Sequence, residues 1–169
     1  MNMSMFCYQC EQALQGKGCT VAGVCGKDET TATLQDDLLN RTKHISQYAY
    51  RAAQLGSSSA EINRFIIQAL FTTVTNVNFD PDRLNEIISK SHDVLSEAQK
   101  LYRDACASKG QDVESIPELL PIESPEIQTR TEKLGEDVAG LQELIVYGLK
   151  GTAAYADHAR ILGQEDDSV

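Results

Sequence analysis

An all-α fold is what this sequence predicts, and three observations lead to it. Apolar residues recur at steps of three, four and seven through most of the chain, the period that lines one face of a helix. Cap-forming residues, twice followed directly by proline, stand where those periodic runs begin. No stretch alternates apolar and polar residues for long enough to build a sheet. The expected architecture is an N-terminal cysteine-rich segment followed by helical bundles.

Residues 1–29 contain Cys7, Cys10, Cys19 and Cys25 with Gly16, Gly18, Gly23 and Gly26, and too few apolar side chains to build a core alone. Something else must organise this segment. The first helix is marked by Leu34, Leu38, Ile45, Tyr48, Ala52 and Leu55, and Gly56 closes it, as glycine just past a helix end does. Ser58-Ser59-Ala60-Glu61 has capping-box spacing between its first serine and its glutamate, and Ile62, Phe65, Ile66, Ala69, Leu70, Thr73 and Val77 follow as a second helix. Asp80-Pro81 opens a third, with Asp80 as cap, Pro81 in the first helical position, and Leu84, Ile87, Ile88, Val94, Leu95, Ala98, Leu101 and Tyr102 as its apolar face. Residues 108–124 have two prolines and little periodicity and read as a long connection. Ser124-Pro125 repeats the cap-and-proline start, and the spacing returns through Ile127, Leu134, Val138, Leu141, Leu144, Ile145 and Leu149. Gly148 and Gly151 then bracket a break before a last helix, Thr152 to Leu162. The expected organisation is a cysteine-rich segment at 1–29, a three-helix bundle at 30–107 and a second helical part at 124–163 packed on it, together one structural domain.

Composition narrows the function. At 169 residues, 41% apolar and 24% charged, the chain is long enough for one domain with a hydrophobic core and lies far from the composition of disordered chains. Fifteen Lys and Arg against 25 Asp and Glu leave a net charge of -10, which repels a phosphate backbone and excludes nucleic acid as a partner. The acidic surface reads as a solubility feature. MNMSMF is no secretory signal, and no segment reaches the length of apolar residues that a membrane span needs. The expectation is a cytosolic protein without a membrane partner, in which clustered cysteines stay reduced and hold metal more often than disulfides.

The four N-terminal cysteines are spaced C-x2-C-x8-C-x5-C. One turn of backbone can aim Cys7 and Cys10 at a common centre, and the glycine-bearing loop 11–18 can fold Cys19 round to it. Thiolates suit iron–sulfur clusters, zinc or cuprous copper. Four of them complete either a tetrahedral zinc or a cubane, and the single close pair differs from the two pairs usual for structural zinc. Spacing alone leaves an iron–sulfur cluster, zinc, and a redox or disulfide role open. Lys17 and Lys27 read as solvated surface residues. Phe6 and Tyr8 flank the first cysteine and are placed either to shield a centre from water or simply to pack. Cys106 reads as a small buried packing residue. His44, His92 and His158 have no partner at metal-ligand spacing, and Glu136-Asp137 and Glu165-Asp166-Asp167 read as solvated charge.

FCYQCEQ followed by GCTVAGVCGK resembles the N-terminal signature of the hybrid-cluster protein family, the prismane proteins also called hydroxylamine reductases. The match includes the four cysteines together with Tyr8, Gln9, Glu11, Gln12, Gly18, Thr20, Gly23 and Gly26, and YGLKGTAAYADHARILG at 147–163 is a second similar segment. The resemblance implies a helical pair of three-helix bundles whose N-terminal cysteines hold a cubane near the surface, with Cys7, Cys10, Cys19 and Cys25 as ligands. Intervals of x8 and x5 are similar to the [4Fe-4S] subgroup, whereas longer intervals go with [2Fe-2S]. It further implies an electron-transfer domain that receives electrons from a redox donor protein and serves the family's hybrid cluster, which reduces hydroxylamine. Further Cys, Glu and His residues in later domains hold that hybrid cluster. This chain has one cysteine after Cys25, so it is not expected to build the hybrid cluster or to be active alone, and its partner is the remainder of the hybrid-cluster protein. The rival from another class is a zinc-stapled helical interaction module without redox role; a thiol-based redox sensor is a third reading.

Overall fold

The computed structural model describes residues 5–10, 12–75, 77–116 and 126–164, the last span without the side chains of 126–129. Glu11, the expected helix start at Ser124-Pro125 and the acidic run 165–167 lie outside the described residues.

Helix α1 runs Glu29–Gln54. It starts where Asp28 turns extended and its carboxylate accepts the Thr31 N–H at 2.8 Å, which satisfies one of the amides every helix start leaves unpaired and lowers the pKa of Asp28. Gly56, at φ 86, terminates the run. Helix α2, Ala60–Thr72, is capped by Ser59, which accepts the Ile62 N–H; the expected cap, Ser58, stands one residue outside. Helix α3, Pro81–Lys109, begins as expected: Asp80 accepts the N–H groups of Asp82 and Arg83, Pro81 fills the first position, and Gly110 closes the helix in the left-handed region.

These three helices meet through Leu38 and Ile45 of α1, Ile62, Phe65 and Ala69 of α2, and Leu84, Ile88, Val94 and Ala98 of α3. Full burial of each large apolar side chain contributes about 1.5–3 kcal/mol, so this core stabilises the bundle without help from the cysteine-rich segment. A second cluster carries it on between the far ends of α1 and α3: Ala52, Tyr102, Ala105, Ile116 and Cys106, the last buried as a packing residue.

Helices α4, Glu126–Leu134, and α5, Glu136–Ile161, follow. Their break falls at Gly135, whose φ of 82 takes it out of the helix. The expected break at Gly148 and Gly151 does not occur: neither has a left-handed backbone, and α5 passes through both without interruption. Helix α5 packs on α2 and α4 packs on α5, so α2 is common to both helical groups. The face that α5 turns inward is Ala139, Lys150, Ala153 and Asp157, with Glu143 and Val146 half-buried. Its large apolar residues Val138, Leu141, Leu144, Ile145 and Leu149, which the spacing marks as one helix face, are exposed. The fold is all-α; the described residues contain five α-helices and no strand, and no helix among them is long and apolar enough to cross a membrane.

Candidate metal centre

The cysteine-rich segment folds as a lobe with a paired neck. Cys7 and Cys19 form an isolated antiparallel bridge, the Cys7 N–H donating to the Cys19 carbonyl at 2.9 Å and the Cys19 N–H to the Cys7 carbonyl at 2.7 Å. The expected fold-back of loop 11–18 is therefore realised in the backbone. Inside it the Ala13 N–H donates to the Cys10 carbonyl, and Leu14–Gly16 make a single 3-10 turn. Gly18 lies under the Phe6 ring, where an added Cβ would stand 2.6 Å from a ring carbon; Phe6 in turn tilts against Tyr8, ring centroids 5.5 Å apart. At the other end Gly23 donates to the Lys27 carbonyl at 2.7 Å, and a Cβ on Gly23 would stand 3.0 Å from Cys25 Sγ.

All four cysteines are free thiols, Cys19 buried and Cys7, Cys10 and Cys25 half-buried. Met5, Cys19 and Ala32 make a small apolar cluster with Cys7 against it. Cys7 and Cys19 are brought together by their backbones; the full set of four is not gathered, and among the described residues no group of three or more His, Cys, Asp or Glu side chains is arranged to hold a metal ion. The donor set nevertheless fits a four-thiolate centre in kind, and the bare backbone at Gly23 approaches Cys25 Sγ more closely than a side chain there would allow.

The helices organise the lobe through polar contacts. The Tyr8 hydroxyl donates to Glu143 Oε2 on α5 at 2.7 Å, and Arg130 of α4 donates to the other carboxylate oxygen. Burial pushes the Tyr8 pKa up, and its hydrogen bond to Glu143 raises it further, so the phenol stays a donor. Burial pushes the Glu143 pKa up, but the hydrogen bonds from Tyr8 and Arg130 and the guanidinium charge outweigh it and lower the pKa overall. Gln9 is held from two sides: Lys150 Nζ donates to its side-chain oxygen at 3.0 Å, and the Thr75 hydroxyl to its carbonyl at 3.0 Å. Lys150 also donates to the Thr73 carbonyl at 3.1 Å.

A model described as the Prismane/CO dehydrogenase family matches residues 5–169, which takes in both the cysteine lobe and the helices that hold it. This chain belongs to the prismane/CO dehydrogenase family. A hydroxylamine reductase of Rhodospirillum rubrum is 46% identical over 178 aligned residues, which cover 98% of this chain and 32% of the relative. Hydroxylamine reductases of Halothermothrix orenii and Acidithiobacillus ferrooxidans are 44% and 43% identical, with 99% and 98% of this chain and 32% and 33% of their own lengths covered. The prismane-family chain thus spans about a third of the length of the curated relatives it matches.

Two buried lysines of this prismane-family chain, one at the lobe's exit and one on α5, matter more than their sequence positions indicate. Lys27, expected on the solvated surface, is 2% exposed, whereas Lys17 is exposed as expected. Lys27 lies at the lobe's exit, between the turn at Gly23 and the cap Asp28, and its Nζ reaches Gln35 on α1. Lys150 is 4% exposed. It did carry a signal: a lone cation inside the apolar run VYGLKGTAAY. The three histidines take ordinary roles, His44 against Tyr48, His92 beside Arg41 and His158 edge-on to Phe71.

Proposed function

We propose that this chain is the iron–sulfur electron-transfer part of a hydroxylamine-reductase type of protein, with Cys7, Cys10, Cys19 and Cys25 holding a [4Fe-4S] cluster that serves a hybrid cluster outside this chain. The observation that carries the reading is four free thiols concentrated in one lobe whose neck pairs two of them, in a chain of the prismane family. When bound, such a cluster supplies reversible one-electron storage at a potential set by burial and hydrogen bonds to sulfur. The chain's own residues prepare for it. The Cys7–Cys19 pairing holds two donors at the lobe's neck, Phe6 covers the backbone at Gly18, and Gly23 lets the backbone pass close to Cys25. Tyr8 and Gln9 fasten the lobe to α5, and a centre held by four thiolates would add its own cross-links to that hold. The reading places the protein in the cytoplasm, where its thiols stay reduced.

The partners in this reading are a redox donor protein and the remaining two-thirds or so of a longer polypeptide of the relatives' length. The apolar outer face of α5, Val138, Leu141, Leu144, Ile145 and Leu149, supports a seat for that remainder, since an apolar row of this size marks a contact surface.

Anaerobic preparation tests the proposal directly. The expected protein is brown, contains iron and acid-labile sulfide in near-equal amounts, and bleaches with dithionite. A colourless preparation with stoichiometric zinc would overturn it in favour of the zinc-stapled interaction module.

A further inference from the structure

Lys27 is 2% exposed, and burying an ammonium is costly unless negative charge or good acceptors offset it. Among the described residues its side-chain partners are Gln35 and Cys7: Nζ donates to Gln35 Oε1 at 2.5 Å and stands 3.9 Å from Cys7 Sγ. Gln35 has no freedom to reorient, because it is wholly buried and its Nε2 donates to the Asn78 carbonyl at 2.7 Å, which leaves Oε1 facing the ammonium. The lysine backbone is fixed as well, by the Gly23 N–H donating to its carbonyl. A neutral amide and one sulfur are a meagre complement for a buried positive charge. Four thiolates sharing a cluster would bring the missing negative charge to the same place.

We propose that Lys27 is the resident counter-charge of the four-cysteine centre, a positioning residue that steadies the Cys7 sulfur by a charge-assisted N–H···S contact and raises the cluster's reduction potential. The inference rests on the iron–sulfur reading given above. Its physics is Coulombic: reduction adds one negative charge to the cluster, and a fixed positive charge in a poorly hydrated lobe stabilises the reduced form more than the oxidised one. Lys17, exposed in the same lobe, is screened by water and exerts no comparable field.

The test is redox potentiometry, followed by visible absorption, on anaerobically prepared chain whose iron and sulfide have first been measured. Lys27→Met keeps the length of the side chain without its charge, Gln35→Glu keeps Lys27 and neutralises it with a nearly isosteric carboxylate, and Lys17→Met is the control. The expected result is a shift to more negative potential in Lys27→Met and in Gln35→Glu, with Lys17→Met unchanged. If Lys27→Met loses its iron or fails to fold, Gln35→Glu decides: a negative shift supports the proposal and an unshifted potential overturns it. Both variants loading a cluster at the parental potential overturns the role of Lys27 and leaves the iron–sulfur reading standing. A parent chain without iron and sulfide overturns both.

Discussion

Lys150 sits in the middle of a helix that is otherwise apolar or small on that stretch, and its burial has a measurable consequence. Removal from water pushes its pKa from 10.5 down to about 8. The carboxylates of Asp36 and Glu143 pull it up, Lys27 and Lys43 push it further down, and burial dominates. Between about 8 and 10.5 the unfolded chain therefore binds more protons than the folded one, and stability rises with pH across that window. The size of the effect is about 3 kcal/mol. Urea denaturation across the window should show a rise in stability that Lys150→Met lacks; equal pH profiles for parent and variant would show that Lys150 does not titrate there. Side chains of this kind were only partly legible. Cys106 was legible as a packing residue because a small thiol between alanines on a helix face has little else to do. Lys27 was not, because nothing in GVCGKDE says that its stem turns inward to Gln35, eight residues on and a turn of fold away.

The cysteine lobe and the three-helix bundle draw on different residues. The main core joins α1, α2 and α3 and includes no residue of 5–27, whereas the lobe rests on a small cluster of Met5, Cys19 and Ala32 and on polar ties to its surroundings. Cys10→Ser should therefore leave helix content nearly intact by circular dichroism while making residues 5–27 open to limited proteolysis. Global loss of helix would mean that the two elements fold as one. Element boundaries were legible where a side chain makes the boundary: Asp80 and Pro81 cap and start α3 as their chemistry dictates. They were not legible where backbone conformation decides. Gly135 breaks the chain because its φ is 82, while Gly148 and Gly151 stay helical, and the letter G is the same in all three places. The neighbouring serines 58 and 59 pose the same difficulty, since either hydroxyl is a competent cap and only the extended backbone at Ser59 chooses.

For the whole molecule, the all-α class followed from periodicity, and the resemblance to the prismane proteins followed from the cysteine signature; the family match and the helices bear both out. The direction in which α5 faces did not follow. Periodicity shows that Val138, Leu141, Leu144, Ile145 and Leu149 share a face, not what lies beyond it, and α5 instead sets alanines and tethered polar groups against its neighbours. Replacing Leu144 and Ile145 together by glutamate and lysine should leave the stability of this chain within about 0.5 kcal/mol of the parent per site in urea denaturation, since both side chains are exposed. A loss of about 2–5 kcal/mol, as for truncated core leucines, would mean that the row is already covered.

The two ties from α5 to the lobe impose a restriction on how this protein can vary. Glu143 and Lys150 are seven positions apart, about two turns, so they leave the helix at nearly the same azimuth some 10 Å from each other and hold Tyr8 and Gln9 in step. Gaining or losing one residue between them would swing one anchor by roughly 100° while the helix itself survived. Length changes can accumulate in the connections of this molecule; between these two anchors, only exchanges of one residue for another preserve the register.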